Sequence, residues 1–122
     1  MIDHICVDAS NYKASKMFYE KALKPLGIKL LKEYEEKYAG YGSSDKPFFW
    51  VIGERSVTKH SHFAFATERR ELVNAFYDAA ISADGKDNGK PGIREHYHPN
   101  YYGAFVLDPD GNNVEAVCHR PE

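Results

Sequence analysis

Shifting this chain by 58 residues lays one half of it on the other. His4 falls on His62, Phe18 and Tyr19 on Phe76 and Tyr77, Ala22 on Ala80, and Gly27 on Gly85. These identities keep their order and sit in the same succession of patterns. In the first half IDHICVD reads as a strand. SNYKASKMFYEKALKPLG then repeats Ala14, Phe18, Ala22 and Leu26 on one helical face, with Ser10 as the expected N-cap and residues 25–27 as its end. IKLLKEY, KYAGYG and PFFWVIG follow as strands. The second half gives HSHFAFA as a strand and Thr67 as a cap. TERRELVNAFYDAAISADG is a helix with Leu72, Phe76, Ala79 and Ala83 on one face, and IREHY, YYGAFVL and NVEAVC are strands. Asp108-Pro109-Asp110-Gly111 is the turn between the last two.

A sheet covered on one face only is not stable alone, so two such units must pair. The expected fold class is therefore α+β: two βαβββ modules, about 1–57 and 58–122, within one domain. The helices would lie on the outer face of a cupped, mixed eight-stranded sheet. A length of 122 residues suits one core.

Sixteen basic against eighteen acidic residues give a net charge of −2, with no basic stripe, so neither nucleic acid nor a membrane surface is an expected partner. No apolar run approaches a membrane span, and MIDHICVDAS lacks an export pattern. Two cysteines make no disulfide framework. The expected location is the cytoplasm.

Alternation along a strand puts His4 with Cys6, and His62 with Ala64 and Ala66, on faces opposite the bulky apolar residues. In NVEAVC an unpaired buried carboxylate would be costly, yet Glu115 stands among Val114, Ala116 and Val117. Two imidazoles and a carboxylate on one face suit a divalent ion, which would offset that cost. His4, His62 and Glu115 are the candidate ligands. A single strand histidine is more often structural; the duplication is what raises these two. In IREHYHPNYYG, His96, His98, Tyr101 and Tyr102 precede the seventh strand. His98 and Tyr102 join Glu115 as catalytic candidates, although strand parity leaves open which tyrosine turns inward. Cys6 reads as a small lining residue, His60 as solvent-exposed at a strand start, and His119 as a weaker candidate near the end.

DHICV, HSHFAF and DPDGNNVEAV together resemble the vicinal oxygen chelate superfamily, which includes glyoxalase I, type I extradiol dioxygenases, and fosfomycin- and bleomycin-resistance proteins. The resemblance spans essentially the whole chain and implies metal-ligand positions at His4, His62 and Glu115. It implies one divalent ion (Fe, Mn, Zn or Ni) polarising vicinal oxygens of a small-molecule substrate, in a dioxygenase-, lyase- or transferase-like reaction. Small members are commonly homodimers, and the site can lie within one chain or across two. Aligning the halves sets Glu115 opposite Phe49 or Trp50, with Glu54 beyond Gly53. Glyoxalase I has another carboxylate at that place, so the pattern points away from its isomerisation. The alternative is a non-catalytic protein that sequesters a small molecule, and a third reading is a fold relic used for oligomer contacts.

Overall fold

Both halves of the repeat form the same unit. The computed structural model describes residues 2–53 and 56–122; Glu54 lies outside the described residues. The first unit runs β1 (Ile5–Asp8), α1 (Tyr12–Leu23), a 3-10 turn (Lys24–Leu26), β2 (Lys29–Tyr34), β3 (Tyr38–Gly42) and β4 (Phe49–Ile52). The second runs β5 (His62–Ala66), α2 (Arg70–Ser82), β6 (Lys86–Ile93), β7 (Tyr102–Leu107) and β8 (Asn113–Cys118). The sheet orders are β1-β4-β3-β2 and β5-β8-β7-β6. In each, the first and last strands of the unit pair parallel and the rest antiparallel. The α+β class and both βαβββ modules are therefore present, as two four-stranded sheets in place of one sheet of eight.

Both sheets turn their bulky faces to a shared helical layer. α1 contributes Phe18, Tyr19, Ala22 and Leu23, α2 contributes Val73, Phe76 and Ala80, and the two helices touch. Phe49 of β4 meets Phe63 and Phe65 of β5 at 5.3 Å between ring centroids, so residues of both modules form one cluster. Sharing a core removes more apolar surface from water than either module does alone, so the two modules stabilise one another.

The element ends differ from the pattern reading in three places. Asn11, not Ser10, caps α1, its side chain accepting the Ala14 N–H at 3.1 Å. α2 starts after Arg69 with no side-chain cap, and the Thr67 N–H instead donates to the Val117 carbonyl, extending the β5–β8 ladder. β6 ends at Ile93, where a strand was expected to start, and residues 94–97 form a turn closed by the Tyr97 N–H on the Arg94 carbonyl. KDNGKPGI has poor strand propensity, yet it forms an irregular edge strand, where proline and glycine are tolerated.

The DPDG turn does more than reverse the chain. Buried Asp108 accepts hydrogen bonds from the Tyr19 hydroxyl (2.6 Å), the Asn112 side chain and backbone (both 2.8 Å) and the Asp110 N–H (2.9 Å). Asp110 accepts from the Ser10 N–H at 3.1 Å and from its hydroxyl. Gly111 takes φ 86°, a left-handed conformation that favours glycine. The turn thus pins the second module to the start and middle of α1. Among the described residues, no helix is long and apolar enough to cross a membrane.

Candidate functional site

Strand register turns the repeat into a side-by-side comparison. On the face of the first sheet away from the helices, Cys6, Trp50, Gly40 and Lys32 form one row across all four strands. The equivalent row of the second sheet is Ala64, Glu115, Phe105 and Gly89. Cys6 and Ala64 are 58 residues apart, so Trp50 is the counterpart of Glu115. Of the two positions that sequence left open, the pairing selects the tryptophan.

Glu115 is 1% exposed although it lies on the outward face. Two groups compensate its burial. One carboxylate oxygen faces His62 Nε2 at 3.2 Å, and the other accepts the Tyr101 hydroxyl. The His62 ring is fixed from its far side, where Nδ1 lies 3.1 Å from the Asn113 carbonyl. A carbonyl only accepts, so Nδ1 carries a proton there. In a neutral ring Nε2 is then a bare lone pair directed at a carboxylate, an arrangement that calls for a cation: a second proton on the ring, or a metal ion.

The tyrosine at Glu115 is Tyr101. Tyr102 is on the opposite face, bonded through its hydroxyl to Asn74 of α2 at 2.7 Å with Arg70 over its ring. That departs from the catalytic place given to Tyr102 by sequence, and the register explains it. Phe105 pairs with Glu115, so Gly103 and then Tyr101 share its side, while Tyr102 pairs with core-facing Cys118. Gly103 leaves the room this needs: a β-carbon there would stand 3.1 Å from the Tyr101 ring and 3.4 Å from the carboxylate. Burial first, and the adjoining Glu115 second, hold the Tyr101 phenol well above its ordinary range, so it remains a donor through neutral pH. Tyr97 and His119 pack edge-on against Tyr101, at 4.9 and 5.1 Å between centroids.

His98 is exposed, its Nδ1 accepting the Asn100 N–H at 3.0 Å, and its ring lies 5.8 Å from that of His119. His96 packs against Tyr97 with the rings tilted 50° and centroids 4.1 Å apart, and His60 lies over Gly111 of the turn. His4 belongs to the other sheet. It is exposed just before β1, bonded to Asp3 at 2.7 Å, and lines a cavity of about 520 Å³ on the first module. The chain therefore brings His62 and Glu115 together and leaves His4 apart. Among the described residues of one chain, no group of three or more His, Cys, Asp or Glu is arranged to hold a metal. One chain alone does not provide the three-ligand set expected from sequence.

Paired βαβββ modules, a histidine opening each repeat and a buried carboxylate on the last strand define the class, and the chain belongs to the Glyoxalase/Bleomycin resistance protein/Dioxygenase superfamily, whose family model matches residues 1–116. A solved glyoxalase/bleomycin resistance protein from Albidiferax ferrireducens T118 is 30% identical, with 99% of each chain covered and a TM-score of 0.82. The same fold appears in a glyoxalase/bleomycin resistance protein/dioxygenase family enzyme from Burkholderia phytofirmans PsJN, at 16% identity, 97% and 98% coverage and a TM-score of 0.73. It appears also in a lactoylglutathione lyase from Agrobacterium tumefaciens, at 15% identity, 96% and 92% coverage and a TM-score of 0.68. No curated protein sequence matches the chain.

Proposed function

We propose that this protein is a metal-dependent enzyme acting on a small molecule with vicinal oxygens, and that it works as a homodimer. His62 and Glu115 of one chain and His4 of the partner subunit would hold one divalent ion. The observation that carries this reading is the fixed His62 ring, whose Nε2 faces the Glu115 carboxylate at 3.2 Å while Nδ1 is occupied by a carbonyl. Histidine ligands are commonly oriented in this way by an outer partner. The fold supports a second copy in this reading. Both bulky sheet faces are used up on the shared core, so the outward faces of the two modules can meet only across chains. A bound ion of this kind would act as a Lewis acid on substrate oxygens. The chain's own contribution is to fix the His62 tautomer through Asn113 and to hold one oxygen of Glu115 with Tyr101. The Tyr101 hydroxyl is the nearest proton donor to that carboxylate oxygen, which makes it a candidate for proton delivery in place of Tyr102.

The alternative, sequestration without turnover, is favoured by one observation: both oxygens of Glu115 already have partners within the chain. Metal analysis separates the readings. Protein purified without chelator is expected to carry a transition metal that is lost in Glu115→Ala and in His4→Ala. Mixing the two variants should restore about a quarter of the sites, since each mixed dimer rebuilds one. Metal-free protein whose melting temperature ignores added Mn²⁺, Zn²⁺, Ni²⁺ and Fe²⁺ would overturn the proposal.

A further inference from the structure

The row that carries Glu115 in the second module carries Trp50 in the first, and its neighbours are adapted to the indole. A β-carbon on Gly40 would stand 2.7, 2.8 and 2.9 Å from three adjacent atoms of the Trp50 six-membered ring. Near-equal distances to adjacent atoms mean that the ring is laid across the glycine. Tyr34, on the outer strand β2 and half exposed, stacks on the indole with the ring planes 14° from parallel and centroids 6.1 Å apart. The two near-parallel rings form an aromatic shelf on the wall of the 520 Å³ cavity, which is within the size range of small-molecule sites.

The charges around the shelf are unequal. Asp3, the acidic residue of this lining, is committed to Lys46 and His4. Lys32 shares the row of Trp50 and has no ion pair among the described residues. It is set two strands away, about 10 Å at the backbone, a gap that a ligand lying on the indole and a lysine side chain reaching inward can close together.

We infer that this shelf binds a planar, conjugated monoanion, its ring on Trp50 and Tyr34 and its carboxylate on Lys32. Aromatic stacking supplies the flat selectivity and the unmatched ammonium supplies the sign. The inference rests on the proposed function only for the ligand's place beside His4; its binding needs no metal.

The test uses the whole protein in EDTA, with 2-naphthoate as the probe and calorimetry as the readout. Cyclohexanecarboxylate, charged but not flat, and 2-naphthalenemethanol, flat but neutral, are expected to bind roughly tenfold more weakly or worse. Lys32→Gln, at an exposed position, should cost naphthoate about tenfold and leave 2-naphthalenemethanol unchanged. Trp50→Leu should weaken both flat probes. Cys6 is exposed on the same row and Cys118 is buried, so naphthoate should also protect a single thiol from alkylation. Equal binding of naphthoate and cyclohexanecarboxylate would overturn the inference. So would an absence of naphthoate binding. Repeating the titration in Glu115→Gln keeps the two proposals separate: loss of the metal reading leaves naphthoate binding intact, and loss of naphthoate binding leaves the metal result standing.

Discussion

Gly40 is the residue on which the first outward face turns. In its place any larger side chain meets the Trp50 ring at under 3 Å, so the indole must swing away. Gly40→Ala is expected to fold, at a cost of about 1–3 kcal/mol. Its tryptophan emission should shift to the red, an unambiguous signal because Trp50 is the only tryptophan. Unchanged emission would mean that the indole does not depend on the glycine. At this scale the sequence was partly legible. His62 and Glu115 were readable from alternation and repeat, because both are properties of single strands. Tyr101 was not, because choosing it over Tyr102 needs the register across the hairpin, which the turn geometry sets. Counting the turn as residues 108–111 would set Leu107 against Asn112 and put Tyr102 on the side of Glu115; the loop is one residue longer, with Asn113 opposite Leu107, and that extra residue selects Tyr101.

Among the elements, the DPDG turn carries the most. Asp108 is buried and accepts from four donors, one of them Tyr19 on the other module. Removing the carboxylate strands several buried donors at once, so Asp108→Ala is expected to lose about 3–5 kcal/mol of stability in urea unfolding. Tyr19→Phe should lose about 1–3 kcal/mol. A loss under about 1 kcal/mol in Asp108→Ala would show that the modules do not depend on this tie. The turn itself was legible from Asp-Pro-Asp-Gly, but its long-range partners were not, since nothing local tells Ser10 or Tyr19 that they face it. Ser10 illustrates the point. It has the chemistry of a helix cap, and Asn11 takes that place while Ser10 bonds Asp110, a hundred residues away. β6 eluded pattern reading for the opposite reason, because edge pairing overrides poor propensity.

At the scale of the molecule, the two modules share one core and several buried phenols. Burial is the first cause that raises Tyr12, Tyr19, Tyr41 and Tyr101 above their ordinary value. In the unfolded chain these groups lose their protons near pH 10. Above that, the native state holds more protons than the unfolded one, so stability falls as pH rises. The stability they contribute is fully present below about pH 10 and lost above it. Urea midpoints should therefore not change with pH on account of these tyrosines near neutrality and should drop through alkaline pH, with less of a drop in Tyr19→Phe. The two-module architecture was legible because duplication writes the same pattern twice. The split into two sheets was not, because it depends on how bulky faces from both halves share one interior. That split also bears on how such a chain can change over generations. Trp50 and Glu115 occupy one address in a duplicated plan, yet sit on separate sheets with separate neighbours. Mutations around the indole can reshape the first outward face while the contacts of Glu115 with His62 and Tyr101 stay as they are, so this architecture lets the two copies of one plan diverge separately.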